Sequence, residues 1–405
     1  MNNVKKAKKF NSFWGSIIKF FSNTYLHGKL DIIVSKNDAR NLKPPFLILA
    51  NHVTYWDPFL VDIFVKEPMC YLAEETYFRN PWFRIVLNAV DSIPKKRYIR
   101  QSQPIKKLFQ ARDIGRVMGI FPEGERNWDG ITNTRIFPAT AKLIKKLGVP
   151  VITVVIEGGY LAYPRWAKYS RRGKVNLTYK LSITKDEVTE LPLEQIEERI
   201  KSQLAHDEVE YQRKMLNKYV GKNLAENLEL LLYLCPQCHS MNTLISHGDN
   251  LTCQHCQYGV VYTQYGFLEG LQNKLYFDNL RDWNCWQVQY LKELIAGHCS
   301  TKGENEDILK DDGVEMLVGS IERPFISKGK GVLSLHKRAL SFQQPAIEKF
   351  QFDLTEIIGL NVQFLAVLEF SYKDELYRFK FQNPHISAYK WEQAINFTRE
   401  EIKRD

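Results

Sequence analysis

Asn51-His52-Val53-Thr54-Tyr55-Trp56-Asp57 sets an imidazole and a carboxylate in an H-x4-D arrangement, directly after the apolar run Phe46–Ala50. Imidazole titrates near neutral pH and can take a proton from a hydroxyl. A carboxylate on its other nitrogen fixes the tautomer and stabilises the imidazolium. The pair can therefore act as a base and its orienter. Asp57 has a second, compatible reading as the N-cap of a helix with Pro58 at its first position. Further along, Phe121-Pro122-Glu123-Gly124-Glu125-Arg126 follows another apolar run and could by itself be a tight turn.

A different chemistry resides in Cys235-Pro236-Gln237-Cys238 and Cys253-Gln254-His255-Cys256, with fourteen residues between the two pairs. Two CxxC turns at this distance can place four thiolates tetrahedrally around one Zn²⁺, as in a zinc ribbon. A four-thiolate site is coordinatively closed, so its expected role is structural. His239, His247 and His255 are then spare, and Cys70, Cys285 and Cys299 show no ligand spacing. Seven cysteines in 405 residues are too few for a disulfide scaffold and point to a reducing, cytosolic setting.

These groups need elements to position them. Between Phe46 and Thr184 short apolar runs (Phe46–Ala50, Pro58–Val65, Gly119–Phe121, Ala139–Leu147, Val151–Ile156) alternate with helical patterns, which predicts an α/β domain with a buried sheet. Residues 191–234 read as connecting helices, with Ile196, Ile200, Leu204, Leu224, Leu228, Leu231 and Leu232 forming a broken stripe. The ribbon occupies 235–262. A helical linker follows over 263–298, and 299–313, polar, acidic and glycine-containing, reads as a linker. Beyond it the apolar period becomes two, at Leu333/Leu335, Leu340/Phe342, Phe350/Phe352/Leu354, Leu368/Phe370/Tyr372 and Tyr377/Phe379/Phe381. A final helical pattern through Trp391, Ala394 and Ile395 makes 314–403 a small β-sheet domain capped by a C-terminal helix.

The net charge of +10 is concentrated at one end. Six of the 56 Lys and Arg residues (Lys5, Lys6, Lys8, Lys9, Lys19, Lys29) lie in the first 30 positions without an Asp or Glu, leaving the remaining 375 with only +4. Behind the lysines, Phe10, Phe13, Trp14, Ile17, Ile18, Phe21 and Tyr25 recur at helical spacing. Residues 1–27 thus predict an amphipathic helix at a lipid–water interface, its lysines meeting anionic headgroups. The alternative is a basic helix docked on the domain's own core. Lys19 interrupts the apolar part and no small-residue cleavage site follows, so a signal peptide fits poorly. No apolar stretch is long enough to span a bilayer.

Taken together, N-H-x4-D and F-P-E-G-x-R resemble the motifs of the glycerolipid acyltransferase family, which includes the lysophosphatidic acid acyltransferases. The resemblance covers residues 28–190, with Tyr71 to Arg97 similar to the family's middle region and Gly148-Val149-Pro150-Val151-Ile152 to its fourth block. It implies that His52 deprotonates an acceptor hydroxyl, which attacks the thioester of acyl-CoA or acyl carrier protein, while Asp57 holds His52. It also implies that Glu123, Gly124 and Arg126 shape the acceptor site and that Arg97 grips a phosphate. Departures from the pattern are Glu74 and Glu75 where relatives carry lysine, Asp91 near a glycine position, Asn127 for serine and Thr153 for a second proline.

The expected acceptor is a lysophospholipid, foremost 1-acyl-sn-glycerol-3-phosphate, and the expected place the cytoplasmic face of a membrane. Residues 314–403 resemble, by their succession of elements, a PH/GRAM-like module. Two rival functions are a catalytically silent membrane adaptor and a zinc-ribbon nucleic-acid-binding protein. Against the second, the ribbon from Cys235 to Cys256 contains no Lys or Arg.

Overall fold

The computed structural model describes residues 12–75, 78, 84–85, 87–88, 91–95, 102–132, 138–272, 274–320, 323–345 and 349–404. Arg97, Lys96, Phe10 and the four lysines before it lie outside the described residues, as do the side chains of Phe13 and Trp14. The chain divides into two units. The first holds residues 1–165, 169–221 and 264–266, and the second 166–168, 222–263 and 267–405.

The first unit is built on a seven-stranded mixed sheet. In chain order its strands are β1 (Asp31–Asn37), β2 (Phe46–Ala50), β3 (Met69–Glu74), β4 (Ile93–Lys95), β5 (Val117–Ile120), β6 (Val151–Glu157) and β7 (Lys174–Ile183), arranged β1-β7-β6-β2-β5-β3-β4. β6, β2, β5, β3 and β4 run parallel, whereas β7 is antiparallel to β6. All five residues of β2 are buried, because helices and loops cover both faces of a parallel sheet and leave no polar side to alternate with. One apolar layer gathers Phe46, Ile48, Val117, Ile152 and Val154, and the other Leu47, Leu49, Met118, Ile144 and Val151.

Helix α1 (Ser12–Lys29) is amphipathic, as the spacing predicts, but its faces are divided differently. Leu26 is buried and Ile17 and Ile18 are half-buried, while Phe20 and Phe21 are 66% and 67% exposed. Lys19, expected to meet headgroups, instead turns inward. Its Nζ donates to the Val65 carbonyl at 2.5 Å and stands 3.6 Å from the Asp62 carboxylate, and burial lowers its pKa. A lysine stem can cover apolar surface only where its head finds oxygen partners, and Asp62 at the end of α2 (Asp57–Asp62) and Val65 just beyond it supply them. One face of α1 is thus docked on the domain, and the other leaves Phe20 and Phe21 exposed. Among the described residues no helix is long and apolar enough to cross a membrane.

Helices run over Leu193–Leu204 and Glu208–Met215, but Leu224, Leu231 and Leu232, expected on further helix, are buried in irregular chain. Asn223 and Asn227 adopt left-handed backbone there, which a continuous helix excludes.

In the second unit four short strands, β8 (Leu244–His247), β9 (Asn250–Cys253), β10 (Gly259–Tyr262) and β11 (Leu268–Gly270), form an antiparallel sheet around the cysteines. A second antiparallel sheet has the strands Leu309–Gly319 (β12), Ile326–Leu335 (β13), Ala339–Gln343 (β14), Phe350–Asp353 (β15), Ile358–Gln363 (β16), Val367–Tyr372 (β17) and Glu375–Phe381 (β18). Their order is β15-β14-β13-β12-β18-β17-β16. It is a meander whose first strand pairs with its last, followed by the helix Ala388–Ile402.

The stretch expected as linkers is part of this structure. The helix Leu280–Thr301 buries Trp283, whose Nε1 donates to the Leu234 carbonyl at 3.0 Å, and Gln287 donates to the Leu231 carbonyl at 2.8 Å. Asp311, within the acidic segment, lies buried in β12. Its Oδ2 accepts from Lys390 Nζ at 2.9 Å and Trp391 Nε1 at 2.7 Å, and its Oδ1 accepts from Asn242 Nδ2 at 3.0 Å. Acidic composition reads as loop until a buried cation is placed opposite it.

Asp311→Ala would strand the Lys390 ammonium, and urea denaturation should show a loss of about 3–5 kcal/mol. The double substitution Asp311→Leu with Lys390→Met should cost clearly less than that single change.

Candidate active site and metal centre

His52 and the Phe121–Arg126 turn lie at the carboxyl ends of the adjacent strands β2 and β5, the end of a parallel sheet where ligands bind. Asn51 closes β2 by imitating backbone. Its Nδ2 donates to the Ile156 carbonyl at 3.0 Å, and its Oδ1 accepts from the Ile156 N–H at 2.7 Å. The chain then turns, and α2 begins at Asp57 itself, with Trp56 as the flanking residue and no side-chain cap. Asp57 is therefore not the helix's N-cap. Its carboxylate turns back into the loop before it.

That carboxylate is fully buried and receives four donors. Oδ2 accepts from His52 Nδ1 at 2.8 Å, Val53 N at 2.6 Å and Thr54 N at 2.9 Å, and Oδ1 accepts from Thr54 Oγ1 at 2.7 Å. Assigning the Nδ1 proton from this bond leaves Nε2, on the far side of a partly exposed ring, as the proton acceptor. The Phe121 ring stacks on His52 at 4.4 Å between centroids, and Tyr71 stacks behind Phe121 at 5.8 Å. Gly119 makes the room, since a Cβ there would overlap the Tyr71 ring.

The Phe121–Arg126 turn clasps the histidine by its backbone as well. Glu123 Oε1 accepts from His52 N at 2.7 Å, and Asn127 N donates to the His52 carbonyl at 3.0 Å. Gly124 holds the left-handed conformation the turn requires, at φ 75°. The buried Arg126 guanidinium lies 3.4 Å from the centroid of the Tyr55 ring. Arg165 supports the turn from behind, donating to Glu125 Oε2 at 2.9 Å and the Arg126 carbonyl at 2.8 Å. Thus His52, Asp57, Glu123, Gly124 and Arg126 come together.

Sequence reading missed Tyr55, Phe121 and Tyr71 as neighbours of the base, and Arg165 as a brace. It also missed a buried pair, His206 and Glu208. Glu208 Oε1 accepts from Gly158 N at 2.6 Å, and its Oε2 lies 3.2 Å from His206 Nε2. The same segment bonds to the chain after Arg126, through Thr132 N to the His206 carbonyl at 2.9 Å and Glu208 N to the Gly130 carbonyl at 3.0 Å. Nothing in the local spacing marks the pair, since the segments that hold it, at Gly158, Gly130 and Thr132, are distant in the chain.

In the second unit the Sγ atoms of Cys235, Cys238, Cys253 and Cys256 all lie within 4.8 Å of one another and could hold a metal ion. Cys235 and Cys256 are 3.6 Å apart and Cys238 and Cys253 3.7 Å, too long for disulfides. They fit the roughly 3.8 Å edge of a tetrahedron with metal–sulfur bonds near 2.3 Å. The residues after the two CxxC pairs, His239 and Gln257, are both left-handed and fold each knuckle back, donating to the Cys235 and Cys253 carbonyls at 3.0 Å. His239 packs instead on Trp286 and Tyr290.

Residues 31–157 match the model of the family described as Acyltransferase, a span that contains His52, Asp57, Glu123, Gly124 and Arg126. A 1-acyl-sn-glycerol-3-phosphate acyltransferase from Borreliella burgdorferi is 31% identical over 130 residues, which cover 31% of this chain and 51% of that protein. The chain thus spans about half the length of that curated relative. A crystal structure of the 1-acyl-sn-glycerophosphate (LPA) acyltransferase PlsC from Thermotoga maritima is 22% identical with a TM-score of 0.41, covering 47% of this chain and 77% of that one.

Burial pushes the His206 pKa down, but the charge and hydrogen bond of Glu208 outweigh it, so the folded value lies above the usual 6.5. The pair's contribution to stability is complete below pH 6.5 and is lost as pH rises through the folded value. In Glu208→Gln, NMR titration should find His206 lowered, and the stability gap to the parent protein should narrow with rising pH.

Proposed function

We propose that the chain is a peripheral membrane acyltransferase that moves a fatty acyl chain from acyl-CoA or acyl carrier protein to the hydroxyl of a lysophospholipid, foremost 1-acyl-sn-glycerol-3-phosphate. The observation that carries this reading is the His52–Asp57 pair, with its buried carboxylate and its second ring nitrogen turned away. His52 Nε2 takes the proton of the acceptor hydroxyl as the oxygen attacks the thioester carbonyl. The tetrahedral intermediate then collapses, the C–S bond breaks, and the thiolate takes the proton from the imidazolium. The products are an ester and a free thiol, with no acyl-enzyme between them. Asp57 holds the ring and stabilises its charged form.

In this scheme Glu123 positions the base through its backbone, Gly124 and Arg126 shape the acceptor side, and Arg97 grips the acceptor phosphate. The four cysteines hold a structural Zn²⁺, a reading supported by their all-sulfur donor set and spacing. The meander and helix of 314–403 form a PH/GRAM-like module, for which the strand order and terminal helix are the support. The exposed aromatic face of α1 contacts the cytoplasmic side of the membrane, where acceptor and product reside.

The deciding experiment combines thiol release with lipid mass spectrometry over a panel of lysophospholipids and both thioester donors. Transfer by the parent protein and a loss of about 10²- to 10⁴-fold in His52→Ala are expected. No turnover by folded, metal-loaded protein would instead favour the silent adaptor. Separately, replacing Cys253 and Cys256 by Ser should abolish the bound zinc measured by metal analysis and destabilise the second unit; an unchanged metal content would refute the site.

A further inference from the structure

At the end of the helix Glu208–Met215 the chain makes a turn that local forces alone do not favour. Leu216 adopts the left-handed conformation at φ 46° and ψ 40°, which is costly for a residue of its size. The side chains of Met215, Leu216 and Val220 are 46%, 59% and 54% exposed. Strained backbone that displays apolar side chains to water is retained where something else uses it.

The turn is held from inside. Buried Gln212 spends its side-chain amide on the turn backbone: Nε2 donates to the Asn217 carbonyl at 2.5 Å and Oε1 accepts from Asn217 N at 3.2 Å. The Gln212 carbonyl also accepts from Leu216 N at 2.9 Å. On the other side Tyr219 is buried and its hydroxyl donates to the Lys174 carbonyl at 2.8 Å. Val220 exchanges two backbone hydrogen bonds with Arg172, each 2.8 Å. Two buried anchors therefore bracket Met215 and Leu216 and prevent them from folding back.

The surroundings are cationic. Residues 213–220 contain Arg213, Lys214 and Lys218, all exposed, and no Asp or Glu; Arg213 pairs with Glu210 at 3.9 Å, and Lys218 Nζ lies 5.8 Å from the centroid of the Tyr265 ring, so the segment keeps an excess of positive charge. An apolar tip in a basic collar matches an anionic bilayer surface, where the cations meet lipid phosphates and the tip enters the acyl boundary. The position agrees. Arg172 also pairs with Asp31 at 3.0 Å, and Asp31 opens β1 just after α1, so the turn lies at the edge of the unit where α1 ends. From its middle to that end α1 exposes Phe20, Phe21 and Tyr25.

We infer that the Met215–Leu216 turn is a second, preformed membrane contact that seats the first unit on anionic lipid together with α1. This rests on the reading of the chain as a peripheral membrane enzyme. The test uses the full-length, metal-loaded protein, sedimented with phosphatidylcholine vesicles with and without phosphatidylglycerol. Three variants are compared: Leu216→Gly, which removes the side chain and relieves the backbone, the double variant Met215→Ser, Leu216→Gly, and the triple variant Arg213→Gln, Lys214→Gln, Lys218→Gln.

Leu216→Gly should be at least as stable as the parent, yet the double variant should bind phosphatidylglycerol vesicles about tenfold or more weakly. Arg213→Gln with Lys214→Gln and Lys218→Gln should reduce the difference between the two vesicle types. Vesicle binding unchanged in the double variant overturns the inference. So does a change in self-association by light scattering with vesicle binding intact, because the surface would then serve a second copy of the chain. Acyl transfer to a short-chain, monomeric lysophospholipid is measured in parallel and should be equal in parent and variants. Absent transfer by the parent, with turn-dependent vesicle binding, would remove the enzymatic reading and leave the membrane contact standing.

Discussion

The buried carboxylate of Asp57 is the constraint on which the first unit's site depends. Removing a carboxylate from water is costly unless donors replace its hydration, and here His52, two backbone N–H groups and a hydroxyl do so. Those same bonds fix the loop between β2 and α2 and the orientation of the imidazole. The loop cannot relax without leaving a buried carboxylate unpaired, so the ring is held in one orientation.

Around this centre the two strand-end loops act as one body. The turn after β5 holds the His52 peptide from both sides, through Glu123 and the Asn127 N–H, and Phe121 covers one face of the ring. Gly119, Tyr71 and Phe121 form a stack that transmits the position of the sheet to the imidazole. Arg165 fastens the turn, while the His206–Glu208 segment fastens the chain that follows it. The elements that secure the site therefore extend beyond residues 31–157, the span that matches the acyltransferase family model.

The second unit solves a different problem. A four-cysteine module of this size buries too little apolar surface to stand by itself. Its four cysteines could hold a metal ion, and it is tied to its neighbours in the unit, for Asn242, between the two knuckles, joins the Asp311, Lys390 and Trp391 cluster. The cysteine cluster and the large meander are thereby physically continuous.

Much of this was legible in the residues taken in order. H-x4-D, F-P-E-G-x-R and the paired CxxC turns are local patterns, and local geometry brings their members close whatever the rest of the chain does. The period of apolar residues likewise pointed to the buried sheet and the later antiparallel strands, because burial on both faces or on one leaves its own rhythm. Long-range placement decided the rest. It turned Lys19 inward onto Asp62, made Asp311 a buried strand residue, and brought Arg165 and Glu208 to the turn that follows β5. It also gave Glu123 to the His52 backbone. A charged side chain reads as surface or loop until its partner is known, and these partners are set by tertiary packing between segments far apart in the chain.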